Sequence, residues 1–365
     1  MKRVMVAMSG GVDSSVAALL LQEQGCEICG VTLKLFDNKD ICSRSETRTC
    51  CSLEDIEDAR SVCHKMLVPH YVFNFRTAFK SKVIDRFVFA YKNGETPNPC
   101  IDCNRYIKFE AMLKKARILG YDQLATGHYA RIFFDQESNR YLLLKAKDQH
   151  KDQSYVLYGL TQEQLANLSF PLGDLSKDQV RAIAKSSGFV NASKPDSQDI
   201  CFVRDGDYNC FIEDYTGERM PTGQFFNKNG ELLGTHQGMA RFTIGQRKGL
   251  GKGFGHRLYV CAKDALKNTV TLGEEKDLYS TNLIADDLNW ISIPSLQETK
   301  QVKAKIRYQM EEQEAMITPL KNGEVLVRFL EPQRAIAPGQ AVVFYENDVV
   351  IGGGTIKERG DYNNE

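Results

Sequence analysis

The sequence predicts an N-terminal α/β domain with a parallel sheet, followed by a small glycine-rich domain and a C-terminal domain of β-strands. A glycine-rich loop between a short apolar run and a helical pattern indicates the first domain. Glycines become dense from about residue 205, and alternating apolar and polar residues dominate from about residue 268. We therefore expect domains at residues 1–204, 205–267 and 268–365, a normal division for a chain of 365 residues.

The N-terminal domain opens with a βαβ unit. Residues 4–8 form a short apolar run that is typical of a buried parallel strand. Residues 9–15 predict a tight loop, residues 16–24 a helix that ends at Gly25, and residues 27–36 a second strand. Ligands of open α/β sheets bind outside the carboxyl ends of the strands, so this loop is the predicted binding site.

The remaining elements follow the same logic. Helices are predicted at residues 52–66, with Ser52 as N-cap, and at residues 78–91 and 107–119, and strands at residues 71–75 and 123–126. Pro97 and Pro99 break the chain between the second and third helices, because proline donates no backbone hydrogen bond. Alternating apolar and polar residues, as at residues 302–308, 325–329 and 341–345, favour a small β-barrel or sandwich. The polar residues 359–365 predict a frayed tail.

Composition limits the partners. The 47 basic and 47 acidic residues leave no net charge, so any nucleic-acid contact must use local basic patches. The candidate patches comprise Lys108, Lys114, Lys115 and Arg117 on a helix, Arg241, Arg247, Lys248, Lys252 and Arg257 among the glycines, and Lys303, Lys305 and Arg307 on one strand face. The helix patch could equally be a solvated face, whereas the central patch is favoured because its glycines leave the backbone open to phosphate contact. The sequence has no run of 18 apolar residues and no signal peptide, which predicts a cytoplasmic protein without a membrane span.

The glycine loop, Ser9-Gly10-Gly11-Val12-Asp13-Ser14, is suited to a phosphate group. Its glycines let backbone N–H groups approach an anion, and the following helix directs its positive end to the same point. The loop lacks the lysine of a Walker A motif. It resembles the PP-loop of ATP pyrophosphatases, which implies ATP as substrate, release of pyrophosphate, and Mg²⁺ near Asp13.

Eleven cysteines, an odd number, argue against a disulfide scaffold and favour reduced thiols. Cys100 and Cys103 form a C-x-x-C pair, and Cys201 is a third candidate. A thiolate can carry a persulfide that a second thiol cleaves. Alternatively, three thiolates can hold an iron–sulfur cluster with one open iron. Zinc would need two ligands beyond the pair, and Cys201 is the only evident third.

The other cysteines have simpler interpretations. Cys26 and Cys29 flank a strand and are expected in the core, and Cys210 and Cys261 are expected to pack. A second metal site could be formed by Cys42, Cys50, Cys51 and Cys63 with His64. The irregular spacing of these residues favours packing in the core instead.

These features together resemble the tRNA-specific 2-thiouridylase family. The resemblance covers nearly the whole chain, in residues 7–15, 96–109 (TPNPCIDCNRYIKF), 125–130 (ATGHYA), 151–155 (KDQSY), 196–202 (DSQDICF) and 242–251 (FTIGQRKGLG). The last two blocks are specific, since other PP-loop enzymes lack them.

The resemblance implies a three-domain enzyme with a PP-loop, Rossmann-like domain, a small central α+β domain and a C-terminal β-barrel. It implies that the enzyme replaces the C2 oxygen of the wobble uridine U34 with sulfur in the tRNAs for Lys, Glu and Gln. ATP and Mg²⁺ would be required, and sulfur would come from a cysteine desulfurase or a sulfur-relay protein. By match, Cys103 is the nucleophile and Cys201 carries the persulfide.

The resemblance also assigns binding residues. The ATP site would comprise Ala7, Met8, Ser9, Gly10, Gly11, Val12, Asp13, Ser14, Leu33 and Gly127. The target base would face Asn98, Pro99 and Cys100. Contacts to tRNA would come from His128, Lys151, Asp152, Gln153, Arg307, Tyr308 and Gln340. Some members have aspartate in place of Cys100, so Cys100 is either a third ligand of a [4Fe–4S] cluster, with Cys103 and Cys201, or a spare thiol.

Two alternative functions remain open from the sequence. One is another PP-loop adenylating enzyme that acts on a small molecule, such as an amidotransferase or argininosuccinate synthase. The other is a non-catalytic RNA-binding protein stabilised by zinc or a cluster.

Overall fold

The computed structural model describes residues 1–36, 53–196, 200–203, 207–251 and 253–360. It confirms the expected fold class, since an α/β domain with a parallel sheet precedes a small central domain and a closed β-barrel. Ser52, Cys42, Cys50, Cys51, Lys252 and the tail after residue 360 lie outside the described residues.

The N-terminal sheet has five parallel strands in the order β3-β2-β1-β4-β7. Its strands are β1 (Arg3–Ala7), β2 (Glu27–Lys34), β3 (His70–Asn74), β4 (Gln123–Ala125) and β7 (Leu168–Ser169). The helices of this domain are α1 (Val12–Glu23), α2 (Leu53–Lys65), α3 (Arg76–Phe79), α4 (Asp85–Lys92), α5 (Pro99–Asp102), α6 (Met112–Ile118), α7 (Gln162–Ala166) and α8 (Lys177–Ser186). A π-helical stretch at Lys80–Ile84 joins α3 to α4, and another at Cys103–Ala111 joins α5 to α6.

The predicted loop at residues 9–15 is shorter than expected. Helix α1 begins at Val12, so only Ser9, Gly10 and Gly11 remain outside regular structure. The hydroxyls of Ser14 and Ser15 donate to the carbonyl of Gly11, each at 3.1 Å, and thereby support the first turn. Serine side chains in the first turn of a helix can bond to the local backbone in this way. The sequence pattern did not reveal that these serines belong to the helix rather than to the loop.

The helix predicted to begin at residue 107 begins at Pro99, and this corrects the expected loop around the C-x-x-C pair. Asn98 is the N-cap, and its side-chain oxygen accepts a hydrogen bond from the N–H of Cys100 at 3.1 Å. Proline is favoured at the first helical position, where its missing N–H costs nothing. Pro99 therefore begins a helix here, and Cys100 and Cys103 lie in its first turns.

The central domain pairs one helix with a four-stranded sheet. It contains α9 (Tyr208–Thr216), β8 (Thr222–Asn227), β9 (Leu232–Gln237), β10 (Tyr259–Asp264) and β11 (Thr269–Gly273), in the sheet order β10-β11-β8-β9. Because β11 pairs with β10 and β8, this sheet extends past the boundary expected at residue 267.

The C-terminal domain is a six-stranded barrel. Its strands are β12 (Tyr279–Trp290), β13 (Lys300–Lys305), β14 (Gln313–Pro319), β15 (Val325–Arg334), β16 (Ala341–Glu346) and β17 (Val349–Arg359). Pairing of β12 with β17 closes the barrel. The hairpin β5 (Arg131–Asp135) and β6 (Arg140–Leu144) leaves the N-terminal domain and joins this sheet through β17, an extension that the sequence did not predict.

Separate hydrophobic cores cover the two faces of the parallel sheet. On one face, Val4 and Val6 pack with α1 and with Val180 and Ala184 of α8. The core on the other face includes Met5, α4 and the helix that carries Cys103, and it continues into strand β16 of the barrel. The N-terminal domain and the barrel thus share one core. Within the described residues, no helix is long and apolar enough to cross a membrane.

Candidate nucleotide and thiol site

The loop between β1 and α1 is built around a position that only glycine fills well. Gly10 has φ +73°, and a Cβ there would lie 2.4 Å from the carbonyl oxygen of Asp55 at the start of α2. Gly11 is the N-cap of α1 and contributes no side-chain hydrogen bond. The positive end of α1 therefore has no side-chain cap and is directed at the position of an incoming anion.

The loop lies where the strand order reverses. Strand β1 pairs with β2 on one side and with β4 on the other, which is the position where open α/β sheets bind ligands. Gly127, two residues after β4, touches the loop, and a Cβ on it would lie 2.7 Å from the backbone of both Asp13 and Ser14. Leu33 is a buried residue near the end of β2.

Asp13, in the first turn of α1, is held by two side chains. The ammonium of Lys177 donates to both of its carboxylate oxygens, at 2.7 and 2.8 Å, and the hydroxyl of Tyr129 donates at 2.8 Å. Burial, together with the charge of Asp13, raises the pKa of the Tyr129 hydroxyl, which therefore stays a donor. Lys177 is the first residue of α8 and is nearly buried.

Lys177 also contacts a second carboxylate. Its ammonium lies 2.7 Å from Asp196, which further pairs with Lys151 at 2.8 Å and Arg181 at 3.2 Å. Burial opposes the ionisation of Asp196, but hydrogen bonds from Lys151 and Lys177 outweigh it and lower the pKa of the carboxyl. Asp13, Lys177 and Asp196 thus form a continuous chain of ion pairs that starts at the nucleotide loop.

Asn191 and Lys194, which precede Asp196 in the chain, also bind the loop. The buried amide of Asn191 donates to the carbonyl of Gly10 at 2.9 Å and to the hydroxyl of Ser15 at 3.0 Å. Lys194 pairs with Asp55 and Asp58, each at 2.6 Å. Hydrogen bonds to these carboxylates outweigh burial and raise the pKa of the Lys194 ammonium. Asn191 and Lys194 therefore attach this segment to the loop and to the first turns of α2.

The cysteines of the C-x-x-C pair differ in exposure. Cys100 is exposed, whereas Cys103, one turn later, is buried in the core between the sheet and the barrel. Cys201 is half-buried and packs against the same core. The next residue, Phe202, is buried and its ring contacts Phe79, Phe87 and Phe211 at centroid distances of 5.7, 5.2 and 5.1 Å. Cys103 and Cys201 thus pack against the same hydrophobic core.

The barrel contributes to the surroundings of Cys100. Burial and the charges of Asp152 and Cys100 raise the pKa of the Tyr308 hydroxyl to about 12, so the phenol is a neutral hydrogen-bond donor at physiological pH. The rings of Tyr308 and Tyr155 are 6.1 Å apart. Tyr308 itself is 37% exposed, which leaves it accessible to a ligand beside Cys100.

The other residues that the resemblance assigns to tRNA contacts have partners within the protein. Arg307 donates to the carbonyls of Ile244 and Ala335, and Gln340 donates to the carbonyl of Thr96 at 2.6 Å. These contacts join the three domains.

Three further residues that the resemblance assigns to tRNA contacts lie nearer the loop and also have hydrogen-bond partners within the protein. Buried Asp152 accepts from the N–H groups of Ala146 and Ser154, and Gln153 accepts from the N–H of Tyr129. Half-buried His128 bonds to Thr126 at 2.7 Å, and burial and the charge of Lys108 lower its pKa well below the usual range. Their assignment to tRNA remains a prediction.

The predicted basic patches are largely on the surface. Arg241, Arg247, Lys248 and Arg257 are exposed in the central domain. On β13, Lys303 is exposed and alternates with buried Val302 and Ala304, as the pattern predicted.

Metal sites gain no support from the described residues. Across residues 1–36, 53–196, 200–203, 207–251 and 253–360, no group of three His, Cys, Asp or Glu side chains is arranged to hold a metal ion. Cys29, Cys63 and Cys261 are buried, and burial raises the pKa of the Cys63 thiol to about 11. These three cysteines fit packing.

The fold and the loop define a class of protein, namely an α/β enzyme that binds a nucleotide at the switch point of its sheet and carries thiols in the same domain. The family described as tRNA methyl transferase HUP domain matches residues 2–205, the tRNA methyl transferase PRC-barrel domain matches residues 209–274, and the aminomethyltransferase beta-barrel domain matches residues 280–356.

Full-length relatives give the narrower assignment. The tRNA-specific 2-thiouridylase MnmA of Acetivibrio thermocellus is 52% identical over 98% of this chain and 99% of its own length. The enzyme of the same name from Clostridioides difficile is 49% identical over 98% of both chains. This chain belongs to the tRNA-specific 2-thiouridylase family. Among solved structures, a 4-thiouridine synthetase–RNA complex with bound ATP covers 55% of this chain and 44% of its own, at 19% identity and a TM-score of 0.34.

The sequence alone gave no role to several residues that the structure places at the loop. They are Tyr129, Lys177, Asn191, Lys194 and Asp196. Asp196 opens a recognised motif, but its partner Lys177 lies in a helix without any motif. Only the packing of α8 against α1 brings them together.

Proposed function

We propose that this protein is a tRNA-uridine 2-sulfurtransferase, which uses ATP to activate the C2 oxygen of the wobble uridine U34 and replaces that oxygen with sulfur. The supporting observation is a glycine loop built for a phosphate group, in a domain where Cys103 and Cys201 both pack against one hydrophobic core. Relatives named tRNA-specific 2-thiouridylase match 98% of the chain, which supports tRNA as the substrate.

The activation step uses the loop. The C2 oxygen of uracil is a poor leaving group, so it attacks the α-phosphate of ATP, forms an O-adenylate and releases pyrophosphate. The positive end of α1 and the loop N–H groups stabilise charge that develops on the phosphates. Mg²⁺ binds in proteins through one or two carboxylates plus phosphate oxygens. Asp13 would lie near an ion that neutralises charge on the pyrophosphate, and to bind it directly the carboxylate would exchange its hydrogen bonds from Lys177 and Tyr129.

Sulfur transfer uses the two cysteines. The terminal sulfur of a Cys201 persulfide attacks C2, and AMP leaves with the original oxygen. The Cys103 thiolate attacks the Cys201 sulfur, which breaks the S–S bond to the product, forms a Cys103–Cys201 disulfide and leaves 2-thiouridine. A cellular thiol then reduces the disulfide. Alternatively, Cys103 attacks the persulfide first, and the hydrosulfide that is released attacks C2.

The target base must leave its stack to reach these groups. Asn98, Pro99 and Cys100 form the start of the helix that carries Cys103, so a base beside them lies within one helical turn of the nucleophile. The tRNAs for Lys, Glu and Gln are the proposed substrates, and a cysteine desulfurase, directly or through a relay protein, is the proposed sulfur donor in the cytoplasm. A Cys201 persulfide and a [4Fe–4S] cluster held by Cys100, Cys103 and Cys201 are the two sulfur carriers to distinguish.

Thiolation of an unmodified tRNA-Lys transcript tests the proposal. The protein, purified in air and anaerobically, is incubated with ATP, Mg²⁺ and a sulfide source, and 2-thiouridine is measured by nucleoside mass spectrometry. Cys103→Ala and Cys201→Ala should abolish the product, whereas Cys26→Ala, a half-buried cysteine of the same domain, should not.

Other results would redirect the proposal. Activity in the anaerobic sample alone would favour a cluster over a bare persulfide. If no thiolated base appeared, while AMP formed with a small acid or amide donor, the protein would be an adenylating enzyme that acts on a small molecule. Binding of tRNA without any ATP turnover would instead support a non-catalytic RNA-binding protein.

A further inference from the structure

Three chain segments, one from each domain, meet at a single junction. They are residues 94–96 of the N-terminal domain, 242–245 of the central domain and 335–340 of the barrel. A Cβ on Gly245 would lie 2.7 Å from the Cβ of Ala335, and a Cβ on Gly339 would lie 3.0 Å from the backbone nitrogen of Thr96. Both distances are shorter than an ordinary van der Waals contact, so these two glycines let the three segments lie against one another.

Side chains that bind backbone carbonyls connect the domains at this junction. Lys263 of β10 donates to the carbonyl of Glu95 at 3.3 Å and to the carbonyl of Phe242 at 3.0 Å. This ammonium joins the N-terminal domain to the central domain. Arg307 joins the central domain to the barrel in the same way, and Gln340 joins the barrel to the N-terminal domain.

The surroundings of Lys263 make its position strict. The side chain is half-buried, and its ammonium also lies over the ring of Tyr91, 6.0 Å from the ring centroid. Taking an ammonium out of water is unfavourable unless polar groups replace the water. The two carbonyls do this from opposite domains, and they can do so only while both remain within hydrogen-bond distance. Lys263 therefore fixes the distance between Glu95 and Phe242.

Each of the two bridged carbonyls lies at the start of a segment on which the family resemblance rests. One precedes residues 96–98 and the helix that carries Cys103. The other opens residues 242–251, which include exposed Arg247 and Lys248. Contacts between such side chains and phosphates position a nucleic acid without reading its sequence. The bridge thus connects a segment suited to tRNA phosphates with the helix of the proposed nucleophile.

We propose that Lys263 is a positioning residue for sulfur transfer, which holds the start of residues 242–251 against the start of the helix that carries Cys103. A tRNA phosphate bound at the basic end of that segment then places the target base beside Cys100. This inference rests on the proposed function, because it concerns where bound tRNA presents its base. Loss of the bridge leaves the contacts to tRNA and ATP in place but changes the distance between them.

Steady-state thiolation kinetics of the full-length Lys263→Met variant test the positioning. A misplacement of about 1 Å can lower a rate by about 100-fold, so kcat per active site should fall by about that factor. The Kd values for tRNA and for ATP should stay within about threefold of wild type, because the lost interaction acts on the reaction and not on binding. The number of active sites is counted by ATP-binding stoichiometry, so a partly unfolded sample cannot imitate a lower kcat.

Two further variants and a photocrosslink complete the test. Lys263→Arg, which can still donate to both carbonyls, should recover part of the lost kcat. Lys267→Met removes an exposed lysine of the same domain and should behave as wild type. A tRNA-Lys transcript with 5-bromouridine at position 34 is irradiated with each protein in the absence of ATP. Wild type should crosslink to residues 98–100, and Lys263→Met should bind this tRNA equally well but crosslink there about tenfold less or weaker still.

Two results would overturn the positioning role. One is a wild-type kcat and a wild-type crosslink yield in Lys263→Met. The other is weaker tRNA binding in Lys263→Met with an unchanged kcat, which would make Lys263 a residue for binding alone. Failure of the proposed function looks different, because the wild-type protein itself would then neither thiolate the transcript nor crosslink to residues 98–100.

Discussion

The contact between Gly127 and the nucleotide loop leads to a sharp prediction for Gly127→Ala. The added Cβ would lie 2.7 Å from the carbonyl carbon of Asp13 and from the nitrogen of Ser14. Ordinary contacts begin at about 3.4 Å, so the backbone of the loop or of the β4 end must move by about 0.7 Å. Neither neighbour is a flexible side chain that could turn away.

Both stability and function should respond. Overpacking of this kind costs about 1–3 kcal/mol of stability. A displacement of about 1 Å in a reactive site can lower the rate by about 100-fold, so ATP binding and pyrophosphate release should fall far more than the folded fraction. Isothermal calorimetry measures ATP binding, a coupled pyrophosphate assay measures turnover, and thermal unfolding measures stability.

Gly159→Ala is a matched control in the same domain. Its added Cβ would meet only the side chain of Arg105, at 3.6 Å, which is an ordinary contact. We expect a change in unfolding free energy within about 0.5 kcal/mol and unchanged ATP binding. If Gly127→Ala bound ATP with the wild-type Kd and released pyrophosphate at the wild-type rate, the assignment of the β1–α1 loop as the ATP site would be refuted.

Three further predictions concern stability, each measured by urea unfolding. Burial lowers the pKa of the Lys263 ammonium to about 8. Below pH 8 its protonation therefore disfavours the folded state by up to about 3 kcal/mol. The free energy of unfolding, relative to that of Lys263→Met, should rise from pH 8 to pH 10. Gly30→Ala should destabilise, because its Cβ would lie 2.4 Å from the sulfur of Cys63, and Cys63→Ala should recover part of the loss. Gln340→Ala should cost about 1 kcal/mol without tRNA, through loss of its bond to the Thr96 carbonyl.

Each of these predictions has a result that would count against it. A pH-independent difference between wild type and Lys263→Met would mean that the ammonium is not desolvated in the fold. Additive losses from Gly30→Ala and Cys63→Ala would show that the two side chains do not compete for the same space. Unchanged stability in Gln340→Ala, with weaker tRNA binding, would show that this residue contacts tRNA rather than linking the domains.

Local patterns were sufficient for the framework of the N-terminal domain. The apolar run at residues 4–8, the glycines after it and the helical pattern at residues 16–24 predicted the βαβ unit, because strand, loop and helix each depend on neighbouring residues. Helix starts were predicted less well. Pro99 was interpreted as a break, whereas Asn98 caps a helix that begins at Pro99 and places Cys100 and Cys103 in its first turns.

Contacts between distant segments were beyond the reach of local patterns. The hairpin β5–β6 has no sequence signal that it would leave its domain and extend the barrel sheet. The partner of a charged residue is equally invisible, since nothing in the sequence of α8 indicates that Lys177 meets Asp13 and Asp196. Such pairs depend on how helices pack across the sheet, which is decided by the core as a whole.

The sequence by itself determined the chemistry that is available, namely a glycine loop fit for phosphate, a C-x-x-C pair and a distant third cysteine, because residue type and short spacing carry that information. Only the tertiary structure decided which of these groups act together. It buried Cys103 in the same core against which Cys201 packs, left Cys100 exposed, and joined Asp13 beside the loop to Asp196 through Lys177. The physical reason is that burial and ion pairing depend on distances between residues far apart in the chain, and folding alone sets those distances.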